Sequence, residues 1–182
     1  MNTNLKKLCE AAFFAFLTAS LMYTSVLSRK NQCYTTGSLN DEEKEEVVPF
    51  ECRSDLYNPM ATLMFNTEGG TIRQFLRFPL IYSENTEIDH GENSISIFMY
   101  LLVWMFGTYT TYGVWVPSGL FLPGILIGCA VGVLYLNFIL YILGADINKV
   151  GGQSFIIIGS AAMLASYTRL TYSLAVIMLE TS

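Results

Sequence analysis

Val116-Pro117-Ser118-Gly119-Leu120-Phe121-Leu122-Pro123 joins a break rich in glycine and proline to an apolar run over residues 124–143. A second apolar run, 95–116, ends where the break begins, and each run is long enough to cross a bilayer. Two interpretations stay open. The break is either a loop at the membrane surface, or a re-entrant break whose helix start faces the membrane interior, as in transporters that bind anionic groups.

The break predicts a helix start with free amide donors. Backbone N–H groups in the first turn of a helix have no intrahelical partner, and the peptide dipoles place about half a positive charge there. Ser118 or Gly119 suits the N-cap, and Pro123 suits the first turn, where its missing N–H does least harm. The free N–H groups, which then point into the break, belong to Leu120, Phe121 and Leu122.

Composition predicts the fold class. Of 182 residues, 52% are hydrophobic and only 14% are charged, which is typical of a multi-pass membrane protein. The apolar stretches are 8–27, 95–116, 120–143 and 155–179. The first three meet the requirement of about 20 apolar residues for a spanning helix. Arg169 interrupts the fourth, which predicts two short helices meeting at 166–169. We therefore expect an all-α, polytopic membrane protein with tilted and discontinuous helices.

The polar insertion divides the chain into three parts. A first span over about 1–28 follows a cytosolic N-terminus marked by Lys6 and Lys7, and we expect it to be retained rather than removed as a signal peptide. Residues 29–94 then form an acidic polar loop on the luminal side, with one or two short surface helices within 62–78 that break at Gly69-Gly70. Residues 95–182 hold the remaining helices.

Four cysteines fall into two classes. Cys9 and Cys129 lie in apolar runs and suit packing roles. Cys33 and Cys52 bracket the acidic run 41–46 in the polar loop. A disulfide between them is compatible with a luminal compartment and would stabilise the fold by about 3 kcal/mol. Two free thiols are the equal alternative.

Enzymatic chemistry is not expected. His90 is the only histidine and stands in a polar segment with no metal-binding partners at ligand spacing. There is no nucleophile elbow, phosphate loop or zinc-protease motif. The net charge of −5 argues against a nucleic-acid partner. We expect neither an enzyme nor a resident cofactor or metal.

The helix start resembles a known family. Gly119-Leu120-Phe121-Leu122-Pro123 is similar to the Gly-x-Phe-x-Pro motif of the CLC family of chloride channels and chloride/proton exchangers. The resemblance covers about residues 6–182. It includes the segments 104–113, 124–132, 151–162 and 169–181, and 57–61 with 65–67 resemble the luminal region of the endosomal and lysosomal branch.

The resemblance implies a function. It implies a component of a voltage-gated chloride channel or chloride/proton antiporter in an endosomal or lysosomal membrane, in contact with membrane lipid. Chloride would be held by backbone N–H groups at a site that comprises Ser118, Gly119, Leu120, Phe121, Leu122 and Pro123. The family's full-length members are homodimers. Apolar Leu120 and Phe121 side chains would keep the site dry.

Other family elements are missing from the chain, and two positions within it differ. The motif with the gating glutamate, the Gly-Ser-Gly-x-Pro motif and the pore tyrosine are absent, so channel and exchanger are not distinguished. We expect a fragment or truncated isoform, with a non-conducting interaction or regulatory subunit of a full-length CLC protein as the alternative. Val133 stands where Arg is usual, and Ala165-Ser166 where Gly-Gly is usual, and both differences bear on helix packing.

Overall fold

A computed structural model of the protein describes residues 3–35, 47–53, 56–84, 90–115, 119, 121–143, 151–169 and 176. The chain divides into two compact units. Unit one comprises Met1–Asn66 and Leu102–Leu120, and unit two comprises Thr67–Leu101 and Phe121–Ser182.

The described residues form six α-helices and one short antiparallel strand pair. In chain order the elements are α1 (Thr3–Ser28), β1 (Tyr34–Thr35), β2 (Leu56–Tyr57), α2 (Pro59–Phe65), α3 (Glu68–Glu84), α4 (His90–Thr111), α5 (Phe121–Leu143) and α6 (Gly152–Thr168). Three helical segments are long and apolar enough to cross a membrane: Leu5–Ser28, Ser94–Thr111 and Phe121–Tyr141. The predicted all-α membrane fold is confirmed, and each of these three candidate segments falls within one of the first three predicted spans or overlaps it.

Two predicted boundaries move along the chain. Helix α4 ends at Thr111 rather than at 116, because Gly113 turns the chain out of the helix with a φ of 95°. The same helix begins at His90, which the sequence analysis placed in a polar loop. The predicted break at 166–169 is present: α6 ends at Thr168, and Arg169 follows in a left-handed conformation with a φ of 56°. The short helix predicted beyond it lies outside the described residues except for Val176.

The prediction for the polar insertion is wrong in two respects. The break between its helices lies at Asn66-Thr67, not at Gly69-Gly70. The reason is a cap: the Thr67 hydroxyl accepts a hydrogen bond from the Gly70 N–H at 3.2 Å, so both glycines fall in the first turn of α3. Helix α3 also runs to Glu84, beyond the predicted range 62–78; as in an amphipathic helix, Phe75 is buried on the side packed against α5 and α6, whereas Arg73 is exposed.

In unit one, the buried side chain of Asn58 joins α1 to α2. The Asn58 side chain is fully buried, and its Oδ1 accepts hydrogen bonds from the N–H groups of Met60 and Ala61 at 3.0 and 3.1 Å. Its Nδ2 donates to the Arg29 carbonyl at the end of α1, at 3.0 Å. Asn58 therefore caps α2 and fixes it to α1 with the same amide group.

The chain between α1 and α2 is held by covalent and aromatic contacts. A disulfide joins Cys33 to Cys52, whose Cα atoms are 5.9 Å apart. The Phe50 ring lies between Tyr23 of α1 and Phe65 of α2, with ring centres 6.3 and 5.9 Å away. The described residues between α1 and α2 are thus anchored to both of these helices.

The start of α1 lies beside the chain that follows α4. The Lys7 ammonium group is 3.8 Å from the centre of the Trp115 ring, a cation–π contact. Both residues belong to unit one. The polar end of the first span and the segment leading into 116–120 therefore lie at the same end of this unit.

In unit two, α5 and α6 approach each other backbone to backbone. A methyl group on Gly128 would lie 2.5 Å from the Ser160 Cα, and one on Gly132 would lie 2.8 Å from the Ile156 Cα. From Gly128 to Gly132 the contacting residue on α6 changes from Ser160 to Ile156, so the two helices run antiparallel. Gly159 completes the contact from the side of α6, where a methyl group would lie 2.7 Å from the Gly128 carbonyl oxygen. Small residues at this spacing are what close helix packing in membranes requires.

The family differences noted in the sequence do not prevent this close packing. Val133 is fully buried, so the position where the family has arginine here contributes an apolar side chain to the core. The glycines that make the contact stand elsewhere, at 128, 132 and 159. One polar pair is also held inside unit two: the Asn137 side-chain amide donates to the Ser94 hydroxyl at 3.0 Å, joining α5 to α4.

Candidate anion-binding site

Helix α5 begins inside the predicted motif. Phe121, Leu122 and Pro123 form its first turn, and Gly119 lies two residues before it. Ser118 and Leu120 lie outside the described residues. In a helix that begins at Phe121, the N–H groups that lack an intrahelical acceptor include those of Phe121 and Leu122.

Proline at the third helical position is compatible with this geometry. The N–H groups of the first three helical positions have no intrahelical acceptor, so Pro123 costs the helix no hydrogen bond. The first turn carries no acidic side chain, which would compete with a bound anion. The amide donors there act only through partial charges.

The described motif residues are open to their surroundings. The side chains of Phe121 and Leu122 are 58% and 44% exposed. Gly119 is exposed, and a methyl group placed on it would meet no heavy atom within 4 Å. The dry enclosure expected from the Phe121 ring is therefore not formed by the described residues of this chain, and backbone at Gly119 is accessible.

An aromatic side chain that the sequence analysis did not single out lies against the first turn. Tyr167, in the last turn of α6, covers Gly124 at the fourth position of α5: a methyl group on Gly124 would lie 2.6 Å from both Cε1 and the hydroxyl oxygen of Tyr167. The glycines at 124, 128 and 132 were visible in the sequence, but their spacing does not identify which residue of another helix lies over Gly124.

Arg169 takes a structural position at the end of α6. Its backbone N–H donates to the Ala165 carbonyl at 3.1 Å and closes the last turn. Its side chain is exposed. The described contact of Arg169 is therefore made by its backbone, at the C-terminal end of α6.

The other residues considered in the sequence fall outside this region. Cys129 is buried in α5, in a packing position, whereas Cys9 is exposed on α1. In the part of the chain that the structure describes, no three His, Cys, Asp or Glu side chains come close enough to hold a metal ion. The described chemistry at the start of α5 is that of backbone amides.

Comparison with known families assigns the chain. The family model described as "Voltage gated chloride channel" matches residues 1–182, the whole chain. The chain belongs to the voltage-gated chloride channel family. The resemblance carried by Gly119–Pro123 and the flanking helices is thereby confirmed at the level of the family.

Several relatives come from distant organisms. Chloride channel protein CLC-b of Arabidopsis thaliana is 35% identical over 134 residues, which is 72% of this chain and 15% of the relative. H(+)/Cl(-) exchange transporter 7 of Homo sapiens is 31% identical over 174 residues, which is 94% of this chain and 20% of the relative. Chloride channel protein C of Dictyostelium discoideum is 25% identical over 179 residues, covering 96% of this chain and 22% of the relative.

The family assignment determines the general class of the protein. The chain spans about a fifth of the length of these relatives. Their names describe channels and exchange transporters, which agrees with the expectation that this chain is not an enzyme. Family membership and the three candidate spans together make the chain a multi-pass membrane protein.

Proposed function

We propose that this chain is a component of a chloride transport protein, a voltage-gated channel or a chloride/proton antiporter, and that the start of α5 binds the transported anion. The observation that carries the proposal is the first turn of α5. It begins inside the Gly119–Pro123 motif, has proline where no N–H is needed, and is free of acidic side chains.

Helix-end physics supports chloride as the ligand. The amide N–H groups of Phe121 and Leu122 lie in the first turn and carry the positive end of the α5 dipole, and Leu120 immediately precedes them in the sequence. A site made from partial charges holds a monovalent anion less tightly than a lysine or arginine would, and conduction needs an ion that also leaves. Ser118 and Gly119 precede these donors in the sequence, and no described residue comes within 4 Å of the position that a methyl group on Gly119 would take.

We place the protein in an endosomal or lysosomal membrane, where it contacts lipid and assembles as a homodimer within the full-length parent protein. The support is the resemblance of 57–61 to the luminal region of that branch of the family. In this segment Asn58 fixes the start of α2. The exchange transporter 7 sequences align with 94% of this chain, including that segment.

A second function rests on the exposure of the site. The Phe121 side chain is 58% exposed, so the described residues provide one wall of an anion site rather than an enclosure. A chain with this open surface suits a non-conducting interaction or regulatory subunit that associates with a full-length CLC protein. In that case unit two contributes a surface for assembly and not a pore of its own.

A matched pair of glycine variants tests the main proposal. The purified chain is reconstituted in liposomes, and chloride efflux is followed with an electrode while chloride binding is followed by the ³⁵Cl NMR linewidth. Gly119→Val places a branched side chain over the backbone donors, and we expect binding and flux to fall at least about tenfold. Gly107→Val is the control, because neither glycine has a neighbour within 4 Å that a methyl group would meet.

The outcomes separate the two functions. Loss of binding and flux in Gly119→Val alone supports transport by this site. Equal behaviour of both variants and the wild type contradicts the anion site at Gly119. Absence of flux together with co-purification of a full-length CLC protein, unchanged by Gly119→Val, favours the interaction subunit.

A further inference from the structure

We propose that Tyr167 is a positioning residue for the anion site. Its ring packs against the backbone of Gly124 and fixes the first turn of α5. The position of the ring thereby sets the affinity and selectivity of that turn for anions. This inference rests on the proposed function and deepens it, because it names a residue on another helix that tunes the same site.

The contact is direct and requires glycine. A methyl group on Gly124 would lie 2.6 Å from Cε1 and from the hydroxyl oxygen of Tyr167, and 3.0 Å from Cζ. Nonbonded carbon atoms prefer separations of about 3.5–4.0 Å, so alanine at 124 displaces the ring. The displaced group is the end of a side chain, whereas alanine at Gly128 would meet the α6 backbone.

The register of the two helices places the ring where it acts on the helix start. Tyr167 lies seven residues after Ser160, which is about two helical turns, so both face α5 from the same side of α6. Long side chains in a helix lean toward its N-terminus, which carries the Tyr167 ring back over Gly124. The contact falls one residue after Pro123, at the end of the first turn.

The first turn needs such a support. A helix end frays unless caps or tertiary contacts hold it, and Phe121 and Leu122 are both substantially exposed. Backbone donors hold an anion only when their N–H vectors converge, because hydrogen bonds weaken steeply with misalignment. A group that fixes the turn without touching the anion therefore controls affinity through geometry.

Three variants and a control test the inference in the full chain, purified in detergent. Tyr167→Phe keeps the ring, Tyr167→Ala removes it, and Gly124→Ala displaces it. Gly107→Ala is the matched control, since its methyl group meets nothing within 4 Å. Chloride affinity is measured by ³⁵Cl NMR titration, with bromide and nitrate as competitors. Amide hydrogen exchange is measured at Ile125 and Leu126, whose N–H groups bond back to the first turn.

We expect Tyr167→Ala and Gly124→Ala to weaken chloride binding about tenfold, the effect of misaligning one amide donor. Selectivity among chloride, bromide and nitrate should narrow in both, and exchange at Ile125 and Leu126 should rise. In Tyr167→Phe and in the control Gly107→Ala, the chloride affinity should stay within about twofold of that of the wild type. Rescue by phenylalanine is not expected if the hydroxyl itself binds the anion.

Two results would overturn the inference, and they differ from failure of the proposed function. Unchanged exchange at Ile125 and Leu126 in Tyr167→Ala means that the ring does not hold the turn, whatever the chain does with chloride. Raised exchange with unchanged chloride affinity and selectivity means that the turn is held but does not tune the site. A wild-type chain that binds no chloride, in which Tyr167→Ala still raises exchange, contradicts the anion site and leaves the ring as a support of the fold only.

Discussion

Within each of the two units, the elements are held together by a different kind of contact. Unit one joins its elements through specific side-chain contacts, among them the buried amide of Asn58 and the Cys33–Cys52 disulfide. Unit two joins α5 to α6 through glycines, where backbone meets backbone. The first kind depends on specific hydrogen-bonding groups and on the redox state. The second depends on the absence of side-chain volume, so the two units should respond to different perturbations.

The largest expected effect is in unit two. Gly128→Val would place two methyl groups against the Ser160 backbone, which leaves no flexible group to yield. We expect a loss of about 4 kcal/mol in the free energy of unfolding of unit two, at the upper end of overpacking effects. Hydrogen exchange resolved along α5 and α6 measures it, with Gly107→Val as control. Protection in α5 equal to wild type would contradict the backbone contact.

Reduction should affect unit one only. The disulfide closes a loop with a sequence separation of 19, and replacing both Cys33 and Cys52 by serine should destabilise unit one by about 3 kcal/mol. Thermal unfolding with and without dithiothreitol reports the change, and exchange in α5 and α6 should stay as it was. Two thiols that alkylate without a reductant would show that the bond is not formed in the protein.

A smaller effect is expected from the capping amide. Asn58→Ala removes the acceptor for two N–H groups and the donor to the Arg29 carbonyl, and should cost unit one about 2 kcal/mol. Asn31→Ala is the control, because Asn31 is exposed in the same unit. Equal free energies of unfolding for the two variants, measured by chemical denaturation, would show that the Asn58 amide does not stabilise unit one.

The smallest expected effect distinguishes caps from packing at the start of α3. Thr67→Val preserves side-chain volume but removes the hydroxyl that accepts from the Gly70 N–H, and should cost about 1 kcal/mol. Faster amide exchange confined to the first turn of α3 would indicate a local cap. A spread of faster exchange into α5 and α6 would instead mean that this cap supports the whole of unit two.

The sequence predicted the elements whose position depends on the length and hydrophobicity of a single segment. The three long apolar runs became α1, α4 and α5, and the charged interruption at Arg169 ended α6. Motif similarity also led to the family and to a helix start within 118–123, although the helix begins at Phe121, later than an N-cap at Ser118 or Gly119 implies. Both kinds of signal are local, so they can be read from a single chain without knowing what any element packs against.

The sequence did not predict what depends on tertiary partners. The two adjacent glycines predicted a helix break at Gly69-Gly70, although the Thr67 cap puts both of them inside α3. The amphipathic pattern of 62–78 predicted short helices with one buried face, but it did not identify Tyr100 as the partner of Phe75, with ring centres 5.4 Å apart. The role of Tyr167 was not predicted because it packs against Gly124 on a different helix, and a glycine has no side chain that would indicate a packing partner.

The antiparallel course of α5 and α6 bears on how long an anion would stay. The carbonyl end of α6 lies beside the amide end of α5, since Tyr167 near one end touches Gly124 near the other. Partial charges of opposite sign at neighbouring helix ends lower the electrostatic potential that α5 alone would offer. A shallower well means a shorter dwell time for each anion. If the start of α5 holds a transported anion as proposed, a partly cancelled field favours release of that anion over its retention.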